Sequence, residues 1–149
     1  MKEIILSDGV KTLVSDEDYY FLSGFKWSAS SGYAMKKEKG VSMYMHRLVA
    51  SRMGLSLKKD IDHINRNKLD NRRENLRLSN HSSNGINRGI PKSNTSGFKG
   101  IQRLRHTDIW VARIMKDRKN IYIGVFDTKE EASKAYKDVA IKLFGDFAK

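Results

Sequence analysis

The 149-residue chain contains no cysteine, a single proline and no long apolar run. Without cysteine there are no disulfide staples, no thiolate-bound zinc and no thiol nucleophile, a usage that fits a reducing cytoplasm. No segment approaches the ~18 apolar residues that a membrane-spanning helix requires, so no membrane partner is expected. The opening MKEIILSDG breaks its apolar run after three residues, unlike a secretory leader. Acidic charge is also scarce: 17 Asp and Glu face 29 Lys and Arg, for a net charge of +12. An excess of this sign favours a polyanionic partner, most simply nucleic acid.

The basic charge is unevenly spread. Residues 1–45 are neutral, with six Lys against six acidic side chains. Residues 46–96 hold eleven basic against four acidic, and residues 97–149 hold twelve against seven. A polyanion should therefore touch the middle and C-terminal thirds most closely. In the first third, residues 2–6 and 11–14 flank a Ser7-Asp8-Gly9 turn and predict a β-hairpin. Ser15 followed by Asp18 predicts an N-cap, with a helix over 16–23 ended by Gly24. Strands are expected at 27–37 and 41–44, split by Glu38-Lys39-Gly40, and then a helix over 46–53 that stops at Gly54.

The next stretch, IDHINRNKLDNRRENLRLSNHSSNGINRG, is rich in Asn, Asp and Arg and poor in bulky apolar groups. It reads as a strand around Ile61, a long polar loop, a strand through Leu76 and Leu78, and a helix over 80–87. So few apolar residues leave polar cross-links or a metal to hold it. Residues 89–97, GIPKSNTSG, read as a linker. Residues 97–149 predict strands at 99–104, 110–115 and 120–125. A helix follows, with Thr128 and Glu131 as a capping box and Gly145 as its stop. Its apolar residues, Ala132, Ala135, Tyr136, Val139, Ala140 and Leu143, recur at three and four. The fold class is α+β, ending in a three-stranded antiparallel sheet packed on one helix.

Chemistry concentrates in the polar middle. Phosphodiester hydrolysis needs a hard divalent cation on oxygen ligands and a neutral imidazole able to take a proton from water. Asp62 offers a carboxylate, Asn84 an amide oxygen and His63 the base, with Asn75 in the intervening segment. Neighbours on a strand point to opposite faces, so Asp62 and His63 share one site only where the strand bends, and Asn65-Arg66-Asn67 could supply the bend.

The stretch MHRLVASRMG…IDHINRNKLDNRRENLRLSN…N resembles the HNH homing endonucleases of phages and group I introns. The resemblance implies a strand–strand–helix (ββα-metal) site. It makes His63 the general base, Asn75 the loop anchor that orients it, and Asp62 and Asn84 the ligands of one divalent metal, Mg²⁺ or else Mn²⁺, with no structural zinc. Many relatives carry His where Asn84 stands, and His81 is a rival for that ligand role. Arg72, Arg73 and Arg77 fall in the same stretch as DNA-contact candidates. His46 reads as structural or as a phosphate contact, and His106 as a solvated turn residue. The pattern from ILSDG through VSDEDYYFLSGFKWSASSGYA looks like the segment that precedes this HNH type in phage proteins.

SGFKGI…WVARI…IYIGVFDTKEEASKAYKDVAIKLFG resembles the plant ethylene-response (APETALA-type) DNA-binding domain. It implies a sheet laid in the major groove of duplex DNA. Strand alternation turns Trp110, Ala112, Ile114, Ile121 and Ile123 toward the helix, and Gln102, Arg113, Met115, Asn120 and Tyr122 outward. Arg103, Arg105, Lys116, Arg118 and Lys119 sit near strand ends as phosphate contacts, and Arg88 and Lys92 in the linker are placed to follow the backbone.

The expected organisation is a β-rich segment over 1–45 packing on a nuclease core over 46–88, a linker over 89–97 and a DNA-binding domain over 98–149. Such a chain would nick double-stranded DNA as a monomer in the host cytoplasm. The alternative is a non-catalytic DNA-binding regulator, with an RNA binder third.

Overall fold

The structure, a computed structural model, describes residues 1–148. The described residues form small antiparallel sheets and four α-helices, and the chain divides into two compact units, Met1–Asn80 and His81–Lys149.

In the first unit, β1 (Lys2–Ile5) and β2 (Lys11–Val14) form the expected hairpin. Helix α1 (Asp16–Ser23) follows, bounded by Ser15 and Gly24 as anticipated. The Ser15 hydroxyl does not cap it, however; it accepts from the Arg73 backbone N–H at 3.0 Å. Asp18, expected in a cap, is instead fully buried and accepts from Arg52 Nε and Arg73 Nε, each at 2.7 Å. Burial alone would raise its pKa, but the bonds from Arg73 and Arg52 outweigh this and hold the carboxyl below its ordinary range. The triad ties α1 to α2 (Met45–Arg52) and to the turn at 73–75.

The strand expected over 27–37 is two strands, β3 (Ser28–Ser30) and β4 (Tyr33–Glu38). Ser31 and Gly32 between them both have positive φ, 51° and 81°, the signature of a two-residue hairpin turn. Strand β5 (Val41–Tyr44) completes the sheet in the order β3-β4-β5. Trp27 lies outside the strands, buried, and donates from Nε1 to the Leu22 carbonyl at 2.8 Å. Val14, Leu22, Met45 and Val49 are fully buried at the centre. Against this core packs a second hairpin, β6 (Asp60–His63) with β7 (Leu76–Ser79).

The second unit opens with α3 (His81–Asn87), whose Ile86 belongs to its core. Strands β8 (Ile101–Arg103), β9 (Trp110–Lys116) and β10 (Lys119–Phe126) form a sheet in the order β10-β9-β8, packed on α4 (Lys129–Phe144). Thr128 caps α4 by accepting from the Glu131 N–H at 3.2 Å, and Gly145 ends it with φ +53°. Ala112 and Ile114 are buried under α4 with Ala132, Tyr136 and Ala140.

Ile121 departs from the expected pattern: it pairs with Ile114 but is 36% exposed, because β10 is an edge strand. The register slips between Tyr122 and Gly124, so Val125 rather than an even-numbered residue continues the exposed face. The 89–97 stretch, expected as a linker, carries its own turn: Asn94 Oδ1 accepts from the Gly97 N–H at 2.7 Å and its Nδ2 donates to the Phe98 carbonyl at 2.9 Å. No helix of the described residues is long and apolar enough to cross a membrane.

Candidate active site

The β6–β7 hairpin pairs Asp62 with Arg77 and His63 with Leu76. Its long connection, short of apolar residues, is held by amides and carboxylates. Asn75 closes the loop with both ends of its side chain: Oδ1 accepts from the Asn65 N–H at 3.0 Å and Nδ2 donates to the Asp70 carbonyl at 2.7 Å. The Asp70 carboxylate accepts from Asn65 Nδ2 and from Arg72 Nε, each at 2.7 Å. The Arg72 bond, with help from Asn65, outweighs burial and holds Asp70 below its ordinary pKa. Polar cross-links thus hold this loop. Arg66, with φ +65°, makes the bend just beyond His63, where the Arg66 N–H returns to the His63 carbonyl at 3.0 Å.

His63 ends β6 with its side chain inward and 5% exposed. Its Nε2 lies 3.3 Å from Asn71 Oδ1. Asn71 Nδ2 donates to the Thr12 hydroxyl at 2.8 Å, and that hydroxyl donates to the Leu69 carbonyl at 2.7 Å. Desolvation is the largest influence on the imidazole and lowers its pKa, so His63 is neutral near pH 7. A neutral imidazole in this state accepts a proton.

Alternation turns Asp62 the other way, partly buried beside Arg77, whose Nε and Nη2 donate to Asp62 Oδ2 at 3.2 and 3.0 Å. Among the described residues no group of three or more His, Asp or Glu side chains gathers as a metal cluster. One carboxylate with amide oxygens suits a cation such as Mg²⁺, which takes one or two protein carboxylates and completes its shell with water and substrate phosphate. The donor chemistry therefore fits. Arg72, Arg73 and Arg77, expected at DNA, each bond a carboxylate of their own unit. Asn84 and His81 lie on α3 in the second unit.

Sequence reasoning missed the surroundings of His63. Tyr33, Tyr44, His46 and His63 form a ring cluster, with the two imidazole centroids 5.2 Å apart. Thr12 and Asn71 are both buried. One signal was available: Thr12 shares the inward face of β2 with Val14, an unusual place for a hydroxyl unless it is bonded.

His46 is buried with its Nδ1 lacking a partner among the described residues. Desolvation first, then the neighbouring His63 and Arg47, push its pKa down to about 4. Unfolded, the group titrates near its ordinary ~6.5, so below that pH the unfolded chain binds a proton the native one refuses. Stability is expected to fall by about 3 kcal/mol between pH 6.5 and 4 on this account. Urea unfolding across that range checks it: His46→Phe, among Tyr33, Tyr44 and His63, should flatten the acid limb, and an equally steep limb would refute it.

In the second unit, Arg113 pairs with Tyr122 and Met115 with Asn120 across β9 and β10, all four exposed. Gln102 is exposed on β8. A groove of about 740 Å³ brings Arg88, Gln102, Arg113, Arg118 and Asn120 to one opening. Lys116 and Lys119 flank the Asp117-Arg118 turn, where Ser82 of α3 bonds Asp117 at 2.9 Å. Arg103 is held in its own turn by Thr107 and Asp108, with exposed Arg105 beside it. Lys92 is exposed in the 89–97 segment.

A family model described as HNH endonuclease matches residues 43–86. An uncharacterized HNH endonuclease of Acanthamoeba polyphaga mimivirus is 32% identical over 144 residues, 94% of this chain and 74% of that protein. Protein 3.8 of Escherichia phage T7 is 34% identical over 89 residues, 60% of this chain and 73% of its own. APETALA2-like protein 2 of Oryza sativa subsp. indica is 38% identical over 55 residues, 37% of this chain but 13% of that protein. No solved structure matches.

Proposed function

The chain belongs to the HNH endonuclease family, and on that footing we propose that it nicks double-stranded DNA by metal-assisted hydrolysis, as a phage-type homing enzyme acting in the host cytoplasm. The observation that carries this is the buried imidazole of His63, held at the end of β6 with its Nε2 3.3 Å from Asn71 Oδ1. In the proposed reaction His63 takes a proton from water as the water oxygen bonds to phosphorus. The bond from phosphorus to the 3′ oxygen breaks and that oxygen takes a proton from solvent, leaving a 5′ phosphate and a 3′ hydroxyl. Asn75 holds the loop that keeps His63 in place. Asp62, with Asn84 as the second oxygen donor in a ββα-metal arrangement, would hold one Mg²⁺ or Mn²⁺, which supplies Lewis-acid stabilisation of charge on the leaving oxygen.

One base per chain accounts for a single-strand cut by a monomer. Targeting falls to the second unit: its exposed sheet face and basic strand ends, with the partial likeness to a plant APETALA2-like protein, support duplex binding there. Lys and Arg at phosphates add affinity, and Arg113 bidentate to a guanine would add about 1–3 kcal/mol of discrimination.

Supercoiled plasmid incubated with the purified chain in Mg²⁺, Mn²⁺ or EDTA tests this. Open circles that form only with metal are the expected result. Duplex binding without cutting in every buffer would mean a DNA-binding regulator instead.

A further inference from the structure

The base is oriented from outside its own hairpin. The Leu69 carbonyl can only accept, and it receives the Leu13 N–H at 2.8 Å and the Thr12 hydroxyl at 2.7 Å. The Met45 sulfur, 3.9 Å from that hydroxyl, is a weaker acceptor. With its one proton directed to Leu69, Thr12 meets Asn71 as an acceptor at 2.8 Å, which requires the Asn71 NH₂ on that side. The Asn71 carbonyl oxygen is then the atom 3.3 Å from His63 Nε2. A carbonyl oxygen accepts, so Nε2 must carry the proton.

Bulk water does not compete for the bonds between Thr12 and Asn71, which are 0% and 1% exposed. The backbone also holds the middle residue, because the Asn71 N–H donates to the Leu13 carbonyl at 2.8 Å. Resting on the reading of His63 as the base, we infer that Thr12 and Asn71 are positioning residues that hold His63 in the Nε2–H tautomer, so that Nδ1 is the nitrogen that takes the proton from water. The fixed acceptor at Leu69 sets the direction of every bond that follows. The N-terminal hairpin is thereby part of the catalytic apparatus without touching substrate.

The two tautomers differ in their imidazole nitrogen-15 shifts, so a long-range proton–nitrogen spectrum of the full chain reads the tautomer without DNA. Plasmid nicking reads the rate. The unmodified chain and Thr12→Ser should both show Nε2–H. Thr12→Val keeps the shape but neither donates nor accepts; it should give a mixed or Nδ1–H spectrum, with kcat lowered about 10- to 1,000-fold and KM unchanged. Asn71→Asp keeps an acceptor beside Nε2 and should keep the Nε2–H signature, which serves should Thr12→Val fail to fold. An Nδ1–H spectrum in the unmodified chain, or a Thr12→Val chain with Nε2–H and full kcat, would overturn the inference. A nitrogen signature that follows Thr12 in a chain that cuts no DNA would support the relay and remove His63 from the role of base.

Discussion

A His63→Ala chain is expected to nick plasmid about 10²–10⁴ times more slowly than the unmodified chain, with its hold on duplex DNA unchanged. The size is that of losing a positioned general base, the role proposed for His63. Binding should survive because the exposed basic residues of the second unit, Arg113, Arg118 and Lys119 among them, are untouched. The substitution also strips the Asn71 carbonyl of a buried partner, which costs about 1–3 kcal/mol of stability. Rates should therefore be compared well below both melting temperatures, with duplex affinity measured on the same samples. An unchanged nicking rate would mean that another group activates the nucleophile.

Gly100→Ala is expected to unfold the second unit rather than trim its function. Gly100 sits at φ +70°, and a Cβ built there would lie 2.2 Å from Tyr136 Cε2 and 2.4 Å from the Arg113 carbonyl oxygen. The tyrosine ring belongs to the packed face of α4, and the carbonyl is strand backbone, so neither can give way cheaply. The Gly100 carbonyl also accepts the Arg113 N–H at 2.9 Å, which fixes the strands at this separation. Overpacking together with left-handed backbone strain should cost about 3 kcal/mol or more. For a unit this small, that lowers the melting temperature by about 10 °C or more, and duplex binding should go with it. A melting curve that overlays the unmodified one would show that the close approach is relieved at no cost.

Most elements were legible because they follow local rules. The periodicity of α4 and the Thr128 cap predict the helix found, and the Asp-Gly turn predicts the first hairpin. The failures have physical causes. Ser31-Gly32 is a weaker turn signal than Glu38-Lys39-Gly40, so one expected strand hid two. The bulge at β10 cannot be seen in an alternating pattern, because it exists only as a mismatch with β9.

The polar site was readable in part. The Asp-His pair, Asn75 and the Asn-rich loop announce themselves by composition, and Asn75 does tie that loop together. Their partners do not, because Thr12 with Asn71, and Asp18 with Arg73, meet only through tertiary packing. The same reasoning explains why Arg72, Arg73 and Arg77 look like free cations in the sequence. Each finds a carboxylate, at Asp70, Asp18 and Asp62, that spacing alone does not point to.

Cleavage in water enriched in oxygen-18, followed by mass spectrometry of the product ends, asks whether a solvent oxygen attacks the phosphorus beside His63. Direct hydrolysis predicts one heavy oxygen per cut, on the 5′ phosphate, and an unlabelled 3′ hydroxyl. A 5′ phosphate without label, or phosphate left on the 3′ side, would contradict it.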